Sequence, residues 1–216
     1  MAMLDETPVV SGLSGVGIVL EGVSWKTYER LLQGIGDGRV RVTYDNGLME
    51  IEMSPSRKHE SDADFLRSLV ALIRRLAKIP AESGGSTTHK RKDLVKGLEP
   101  DGCYWIANER AIRGVQNLDL TKHPPPDLVI EVDLTSRSVN KIPIYAALGV
   151  PEIWHVNEAG ELVFLSLDHA TGDYKFTESS ISFPFLPLAK VGKALRRSGA
   201  DGETVALDDL IDSLGL

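Results

Sequence analysis

The chain is poor in cysteine and in long apolar runs, and each absence excludes a class of protein. Its single cysteine, Cys103, excludes an intramolecular disulfide and a cysteine-rich zinc site. No stretch approaches the roughly 18 consecutive apolar residues that a membrane-spanning helix requires. The first residues also lack the basic and then apolar pattern of a signal peptide. We therefore expect a cytoplasmic protein that does not bind membranes.

Basic residues are fewer than acidic residues, which restricts how the protein can bind nucleic acid. Lys and Arg number 24 against 31 Asp and Glu, for a formal net charge of -7. Nonspecific affinity for DNA comes from basic side chains that neutralise phosphates, so a uniformly basic surface is excluded. A local basic groove remains compatible with this composition. The 216 residues, 42% of them hydrophobic, predict one globular domain over 21–216 preceded by an arm over 1–20.

The hydrophobic pattern predicts strands and helices in a mixed order. Apolar residues recur at helical spacing from Phe65 to Leu76, in a long helix that we expect to begin at Ser54-Pro55. Asp45-Asn-Gly47 predicts a hairpin turn. The pattern also predicts strands at 39–44, 48–53, 100–107, 127–132, 152–156 and 162–167, and helices at 24–33 and 140–148. The predicted fold class is α/β (α+β), with a mixed sheet packed by helices.

The strand Pro126-Asp-Leu-Val-Ile-Glu-Val-Asp133 carries acids where a buried strand should carry none. Asp127, Glu131 and Asp133 occupy alternate positions, which predicts that they share one face. Two carboxylates about 4 Å apart repel by on the order of 4 kcal/mol at an effective dielectric of about 20. Protonation, a basic partner or a cation must offset this repulsion, and a hard divalent cation is the interpretation with functional content.

Two further residues can complete such a site. Asp101 precedes the aromatic segment Tyr104-Trp105-Ile106, and Lys141 follows the acidic strand. Acids from two neighbouring strands can hold Mg²⁺, and a lysine beside it can position or deprotonate a water, as in phosphodiester hydrolysis. The alternative is structural: Asp101 as a turn residue and Glu131 paired with Lys141 as an ion pair.

An ordered set of short blocks resembles the Uma-two family of restriction endonucleases, within the PD-(D/E)xK nuclease superfamily. The blocks are Tyr44-Asp-Asn-Gly47, Met53-Ser-Pro55 with His59-Glu60, Glu99-Pro-Asp101, Pro126 to Val132, Lys141 with Ile144-Tyr145, and Gly149-Val-Pro-Glu-Ile-Trp154. The resemblance covers roughly residues 20 to 190. It implies a restriction-endonuclease-like mixed sheet flanked by helices, with a metal centre at one sheet edge. It also implies that Asp101 is the first acid of the site and Glu131 the second.

One position departs from the superfamily pattern, in which a lysine lies two residues after the second acid. Here that position is Asp133, and Lys141, one helical turn before Tyr145, resembles a migrated lysine that reaches back to the strand. Asp133 could then ligate the metal, orient Lys141 or lie solvated at the strand end.

Three more polar residues precede this segment. Glu50 and Glu52 share one face of the strand that leads to Ser54. The resemblance implies an acid of the site near here but does not choose between the two, and its role is to support the metal ligands or to be an extra ligand. The alternative is that this face is a solvated edge. His59 begins the long helix, either as a packing residue or as an active-site wall that bonds a phosphate or a metal-bound water.

The resemblance and the residues together predict an endonuclease that depends on Mg²⁺ or Mn²⁺ and acts on nucleic acid, DNA above all. Asp101, Glu131 and Asp133 are the predicted metal ligands and Lys141 the group that activates water, while Glu50, Glu52 and His59 assist. The alternative is a nuclease-fold protein with weak or no catalysis that binds nucleic acid or serves assembly. We also expect a homodimer, in which the apolar arm exchanges between subunits through Val9, Val10, Val16, Ile18, Val19 and Leu20.

Overall fold

Strands and helices alternate along most of the chain, and the computed structural model describes residues 9–13, 17–36, 40–53, 56–134 and 139–216. The strands are β1 (Val9–Leu13), β2 (Gly17–Glu21), β3 (Val40–Asp45), β4 (Leu48–Met53), β5 (Glu82–Ser83), β6 (His89–Arg91), β7 (Lys96–Leu98), β8 (Gly102–Trp105), β9 (Leu128–Val132), β10 (Glu152–Val156), β11 (Leu162–Asp168) and β12 (Asp173–Thr177). The helices are α1 (Trp25–Ile35), α2 (Arg57–Leu76), α3 (Glu109–Ile112), α4 (Lys141–Leu148), α5 (Leu188–Asp201) and α6 (Glu203–Leu214). Strands form two sheets flanked by helices, which confirms the predicted mixed α and β class.

The first sheet is antiparallel and has the strand order β1-β2-β4-β3-β7-β6. The predicted hairpin joins β3 to β4, and Asn46 and Gly47 at its turn have φ values of 48° and 94°. Positive φ at both central positions matches the twist of the paired strands, so this turn fixes the register of the hairpin. The register sets Arg41 directly opposite Glu52.

Helix α1 covers one face of this sheet. Ser24 caps the helix by accepting a hydrogen bond from the amide of Thr27. Tyr28 is fully buried and stacks on Tyr44 of β3, with ring centroids 4.7 Å apart. A Cβ atom at Gly97 of β7 would lie 2.2 Å from the Tyr28 hydroxyl, so this close approach requires glycine.

The second sheet has the order β12-β11-β10-β9-β8-β5 and contains one parallel pair, β9 with β10. Side chains of β9 alternate between its two faces. Leu128 and Ile130 belong to the core that α2, α5 and α6 share, whereas Val129 packs on the opposite side with Tyr145 of α4. Both faces of this strand are therefore covered, which agrees with its uniform burial.

Helix α4 is the crossover that makes β9 and β10 parallel. Asn140 caps its start by accepting a hydrogen bond from the amide of Ile142 at 3.0 Å, and Gly149 ends it in the left-handed conformation. These bounds agree with the helix predicted at 140–148. The start of the helix therefore faces the end of β9, and Lys141 is its first residue.

The other elements differ from the prediction in detail. Helix α2 begins at Arg57 with Ser56 as its cap, and the predicted start at 54–55 lies outside the described residues. The predicted strand at 100–107 is the shorter β8. The sequence pattern did not predict α3 or α5, and α5 contributes Val191 and Leu195 to the core on α2. None of the helices in the described part of the chain combines the length and apolar character of a membrane span.

The predicted arm contains two strands. Residues 9–13 and 17–21 form β1 and β2 at the edge of the first sheet, where β2 pairs with β4. Of the six apolar arm residues, Val16 lies outside the described residues, as do positions 1–8 and 14–15. The division into an arm and one domain stays a prediction.

His89 of β6 gives the fold a specific pH dependence. It is 1% exposed, its Nε2 atom lies 3.4 Å from Cys103 Sγ, and burial lowers its pKa from 6.5 to about 4. Between those values the unfolded chain binds a proton that the folded chain does not, so stability falls as the pH falls. We expect the wild type to lose about 3 kcal/mol more than His89→Gln between neutral pH and about pH 4.

Denaturant unfolding of both proteins across this range measures that difference. His169→Gln, which removes an exposed histidine, is the control and is expected to lose as much stability as the wild type. Equal pH dependence in His89→Gln and the wild type would contradict a buried, uncharged His89.

Candidate functional site

Asp101 lies just before β8 and is held in place by three neighbouring segments. Its backbone amide donates to Ile130, and its Oδ2 accepts from the amide of Val132 at 2.8 Å. Arg41 of β3 donates to Oδ1, and His59 Nε2 of α2 lies 3.3 Å from Oδ2. The carboxylate therefore sits where the first sheet, the long helix and the second sheet meet.

The charges around Asp101 favour its ionised form. Burial raises the pKa of this carboxyl, but the hydrogen bond with His59 and the charges of Arg41 and Lys141 outweigh burial and hold the pKa well below its ordinary value. The pKa of His59 shifts the other way: burial lowers it, but the hydrogen bond and charge of Asp101 raise it overall. His59 thus contacts Asp101 and stabilises its ionised carboxylate in this structure.

Glu131, on the neighbouring strand β9, is fully buried and bonded at both oxygens. Lys141 Nζ lies 2.7 Å from Oε1, and the Tyr145 hydroxyl donates to Oε2 at 2.6 Å. Lys141 and Tyr145 are four residues apart on α4 and therefore share one helix face. Burial and the charge of Glu131 raise the pKa of Tyr145 well above 10, so its phenol remains a donor.

Lys141 is 2% exposed, and it contacts further residues besides Glu131. Its Nζ atom lies 3.4 Å from Glu52 Oε1 and donates to the backbone carbonyl of Glu99 at 3.4 Å. The lysine thus joins β4 of the first sheet to β9 of the second. The position of Lys141, one helical turn before Tyr145, predicted that it reaches back to the strand of Glu131. Its catalytic role stays a prediction.

Glu50 and Glu52 of β4 are both buried, so a solvated edge, one of the two readings left open, is wrong. Glu50 Oε2 accepts from the amide of Val139 at 3.2 Å, which anchors the segment before α4. Glu52 instead reaches Lys141. Glu52 therefore contacts the lysine that also pairs with Glu131.

The expected row of three acids on β9 is not a cluster. Asp127 lies four residues before Glu131, about 13 Å away along a strand. Its carboxylate accepts from the amides of Ile106 and Asn108 and from the Asn108 side chain, at 2.6 to 2.9 Å. Asp127 therefore closes the turn after β8, and repulsion from Glu131 does not constrain it.

Asp133 follows the other end of β9 and contacts a histidine that the sequence patterns did not predict in the site. His155 Nε2 of β10 lies 3.1 Å from Asp133 Oδ2. Both residues, with Asn140 and Lys141, line a cleft of about 520 Å³. Side chains at 18% and 16% exposure make this pair accessible from that cleft, in contrast to Glu131.

Comparison with known proteins identifies the family. The sequence model of the Uma-two family, described as "putative restriction endonuclease", matches residues 25–189. The chain belongs to the Uma-two family. No curated protein matches it.

A solved structure agrees with the Uma-two assignment at the level of the fold. It is a crystal structure described as a putative nuclease belonging to DUF820, from Anabaena variabilis ATCC 29413. Similarity to it extends over 71% of this chain and 90% of that chain, with 14% sequence identity and a TM-score of 0.50. At this identity the match shows a shared fold.

This Uma-two protein has side chains of the chemical type that binds a hard divalent cation. Asp101, Glu131 and Glu52 offer buried carboxylate oxygens, which Mg²⁺ and Mn²⁺ prefer. Within the described ranges no three Asp, Glu, His or Cys side chains already meet as a metal site. Arg41, His59, Lys141 and Tyr145 instead face these carboxylates. A metal would therefore require the side chains to rearrange.

Sequence reasoning missed four site residues: Arg41, Glu99, Tyr145 and His155. A signal existed for Arg41, because the two-residue Asn-Gly turn places it opposite Glu52. One also existed for Tyr145, four residues after Lys141 on the predicted helix. His155 gave none, since its contact with Asp133 depends on the parallel pairing of β9 with β10.

Proposed function

We propose that this protein is an endonuclease that hydrolyses phosphodiester bonds of nucleic acid, DNA above all, with the help of Mg²⁺ or Mn²⁺. The observation that carries the proposal is the meeting of Asp101, Glu131 and Lys141 from three separate elements in one buried cluster. Membership of the Uma-two family supports the reaction class. The metal, the DNA substrate and a cytoplasmic location are part of the proposal.

Asp101 and Glu131 would hold the metal, and Glu52 would be the third donor. When bound, the metal would polarise the phosphate and lower the pKa of the attacking water. Arg41 and His59 keep Asp101 ionised and oriented. Asp133 would serve the site through a water, because its carboxylate contacts His155 beside the cleft that Lys141 also lines.

Lys141 would act on the phosphate and on the water. Its ammonium group lies between Glu131 and Glu52, 2.7 Å from one and 3.4 Å from the other, which fixes it beside the proposed ligands. From there Nζ can donate to a water and neutralise the negative charge that develops on the phosphorane. Tyr145 holds Glu131 from the opposite oxygen and so limits its rotation.

Cleavage assays test this proposal directly. Supercoiled plasmid and labelled single- and double-stranded DNA and RNA are incubated with Mn²⁺, with Mg²⁺ or with a chelator. We expect nicking that requires the metal and disappears with the chelator. Absence of cleavage on every substrate with either metal would contradict the proposal.

The same contacts support a second function, a nuclease-fold protein that binds nucleic acid or serves assembly without useful catalysis. Arg41 and Lys141 already neutralise Asp101 and Glu131, so the cluster also has the character of a structural ion-pair network. Binding of oligonucleotides without metal-dependent cleavage would favour this function.

The oligomeric state is a separate prediction. Val10 on the edge strand β1 is 64% exposed, and exposed edge strands readily pair with a second chain. We expect a homodimer, and sedimentation at micromolar concentration should show a species of twice the chain mass of 23.6 kDa. Val10→Lys should shift the equilibrium to the monomer. A single 23.6 kDa species in the wild type would rule out the dimer.

A further inference from the structure

A second cleft, of about 500 Å³, is lined in part by Glu99, whose backbone carbonyl accepts from Lys141 Nζ. It lies between the end of α1 and the loop that precedes β6, and it is separate from the cleft at Asp133. Its walls are formed by Leu32, Ile35, Gly36, Val40, Gly84, Ser86, Thr87, Thr88 and Glu99. These residues include none of the proposed metal ligands or Lys141.

The cleft directly adjoins the candidate site. The backbone carbonyl of Glu99 accepts from Lys141 Nζ at 3.4 Å, while the Glu99 side chain lines the cleft. Val40, on the apolar wall, precedes Arg41, which bonds Asp101. Glu99, two residues before Asp101 in the chain, thus contributes to the wall of this cleft and also contacts Lys141.

The walls of the cleft differ in chemistry. Leu32, Ile35 and Val40 form an apolar side, and the opposite side carries hydroxyl groups and the Glu99 carboxylate. Thr88 Oγ1 donates to Glu99 Oε1 at 3.0 Å and so orients the carboxylate. Among residues 9–13, 17–36, 40–53, 56–134 and 139–216, no group donates a hydrogen bond to Glu99 Oε2. An oriented acceptor thus faces a space with an apolar wall.

We propose that this cleft takes the unstacked base of the nucleotide next to the scissile phosphodiester, and that Glu99 accepts a hydrogen bond from the exocyclic amino group of that base. The inference rests on the proposed function. A flat base is apolar on its faces and polar at its edge, which matches an aliphatic wall and a carboxylate. Enzymes read an extruded or single-stranded base through such edge contacts, and carboxylates accept from the amino group of cytosine.

The expected consequence is a base preference that Glu99 controls. Cytosine and adenine carry an exocyclic amino group in the position to donate, and thymine carries a carbonyl oxygen there, which a carboxylate repels. Fluorescence anisotropy with short labelled homopolymers of deoxycytidine, deoxyadenosine and thymidine measures the preference. The assay contains a chelator, so that cleavage does not interfere.

We expect the full chain to bind the cytidine and adenosine polymers about tenfold more tightly than the thymidine polymer. Glu99→Leu should abolish this ratio. Ser86→Trp, at an exposed position of the cleft, should also reduce it by filling the space while leaving Glu99 in place. Glu178→Leu, an exposed residue that follows β12 at the far edge of the second sheet, is the control and should retain the ratio.

The outcomes separate this inference from the proposed function. Equal binding of all three polymers by the wild type, with metal-dependent cleavage intact, would overturn the base cleft alone. A wild-type preference that survives both Glu99→Leu and Ser86→Trp would also overturn it. If the wild type neither binds nor cleaves any nucleic acid, both proposals are wrong.

Discussion

Replacing Lys141 with methionine is expected to lower the metal-dependent cleavage rate by about a hundred- to a thousand-fold. This loss corresponds to about 3 to 4 kcal/mol of transition-state stabilisation, a typical value for one removed charge partner. Methionine retains the length of the side chain but has neither the charge nor the proton that we assign to Nζ. Plasmid nicking at saturating Mn²⁺ measures the effect.

The same substitution affects stability, because Glu131 is left buried without its ammonium partner. Breaking a buried pair in this way costs about 3 to 5 kcal/mol of unfolding free energy. The double variant Lys141→Met with Glu131→Gln removes both charges and should recover much of that loss without recovering cleavage. This pair of variants separates catalysis from folding.

Lys175→Met is the matched control for the single variant. Lys175 pairs with Asp168 at the surface of the second sheet, so its loss should change neither stability nor cleavage appreciably. If Lys141→Met is folded at the assay temperature and nicks as fast as the wild type, the assigned role of Lys141 is wrong.

Glu131→Gln is expected to abolish most of the stabilisation that Mn²⁺ gives the wild type. A ligand that binds only the folded state stabilises it by about 3 kcal/mol at about a hundredfold excess over its dissociation constant. For a chain of this size that energy raises the melting temperature by roughly 5 to 12 °C. The amide keeps the shape of the carboxylate but loses the charge that a divalent cation requires.

Thermal melts with and without Mn²⁺ measure this shift for the wild type and the variant. Because Glu131→Gln also changes the intrinsic stability, the comparison concerns the metal-induced difference within each protein. Glu178→Gln, at an exposed site, should retain the full shift. An equal shift in Glu131→Gln and the wild type would exclude a metal at Glu131.

Local patterns predicted the elements that build the site. The Asn-Gly turn predicted the β3–β4 hairpin, and the helix predicted at 140–148 is α4. Helical periodicity then placed Lys141 on the same side as Tyr145. Each of these inferences depends on neighbours within a few residues, which is the range over which sequence patterns carry structural information.

The inferences that failed concerned what each acid contacts across the chain. Asp127 and Glu131 look equivalent in the sequence, yet one closes a turn through backbone amides and the other pairs with Lys141. Glu50 accepts a hydrogen bond from the backbone amide of Val139, 89 positions away. The alternation of side chains along a strand predicts which face of the sheet a residue occupies. It does not predict which residue from another part of the chain contacts it.

The sequence separation of the site contacts has a consequence for the order of folding. Arg41 and Asp101 are 60 positions apart and Glu50 and Val139 are 89 apart, whereas Lys141 reaches Glu131 over 10. Long loops must close before the distant contacts form, and closure costs entropy that grows with loop length. The pair on β9 and α4 can therefore form early, while Asp101 reaches its final environment only when both sheets have docked. We therefore expect the proposed site to be completed late in folding, after the local contact between Lys141 and Glu131 has formed.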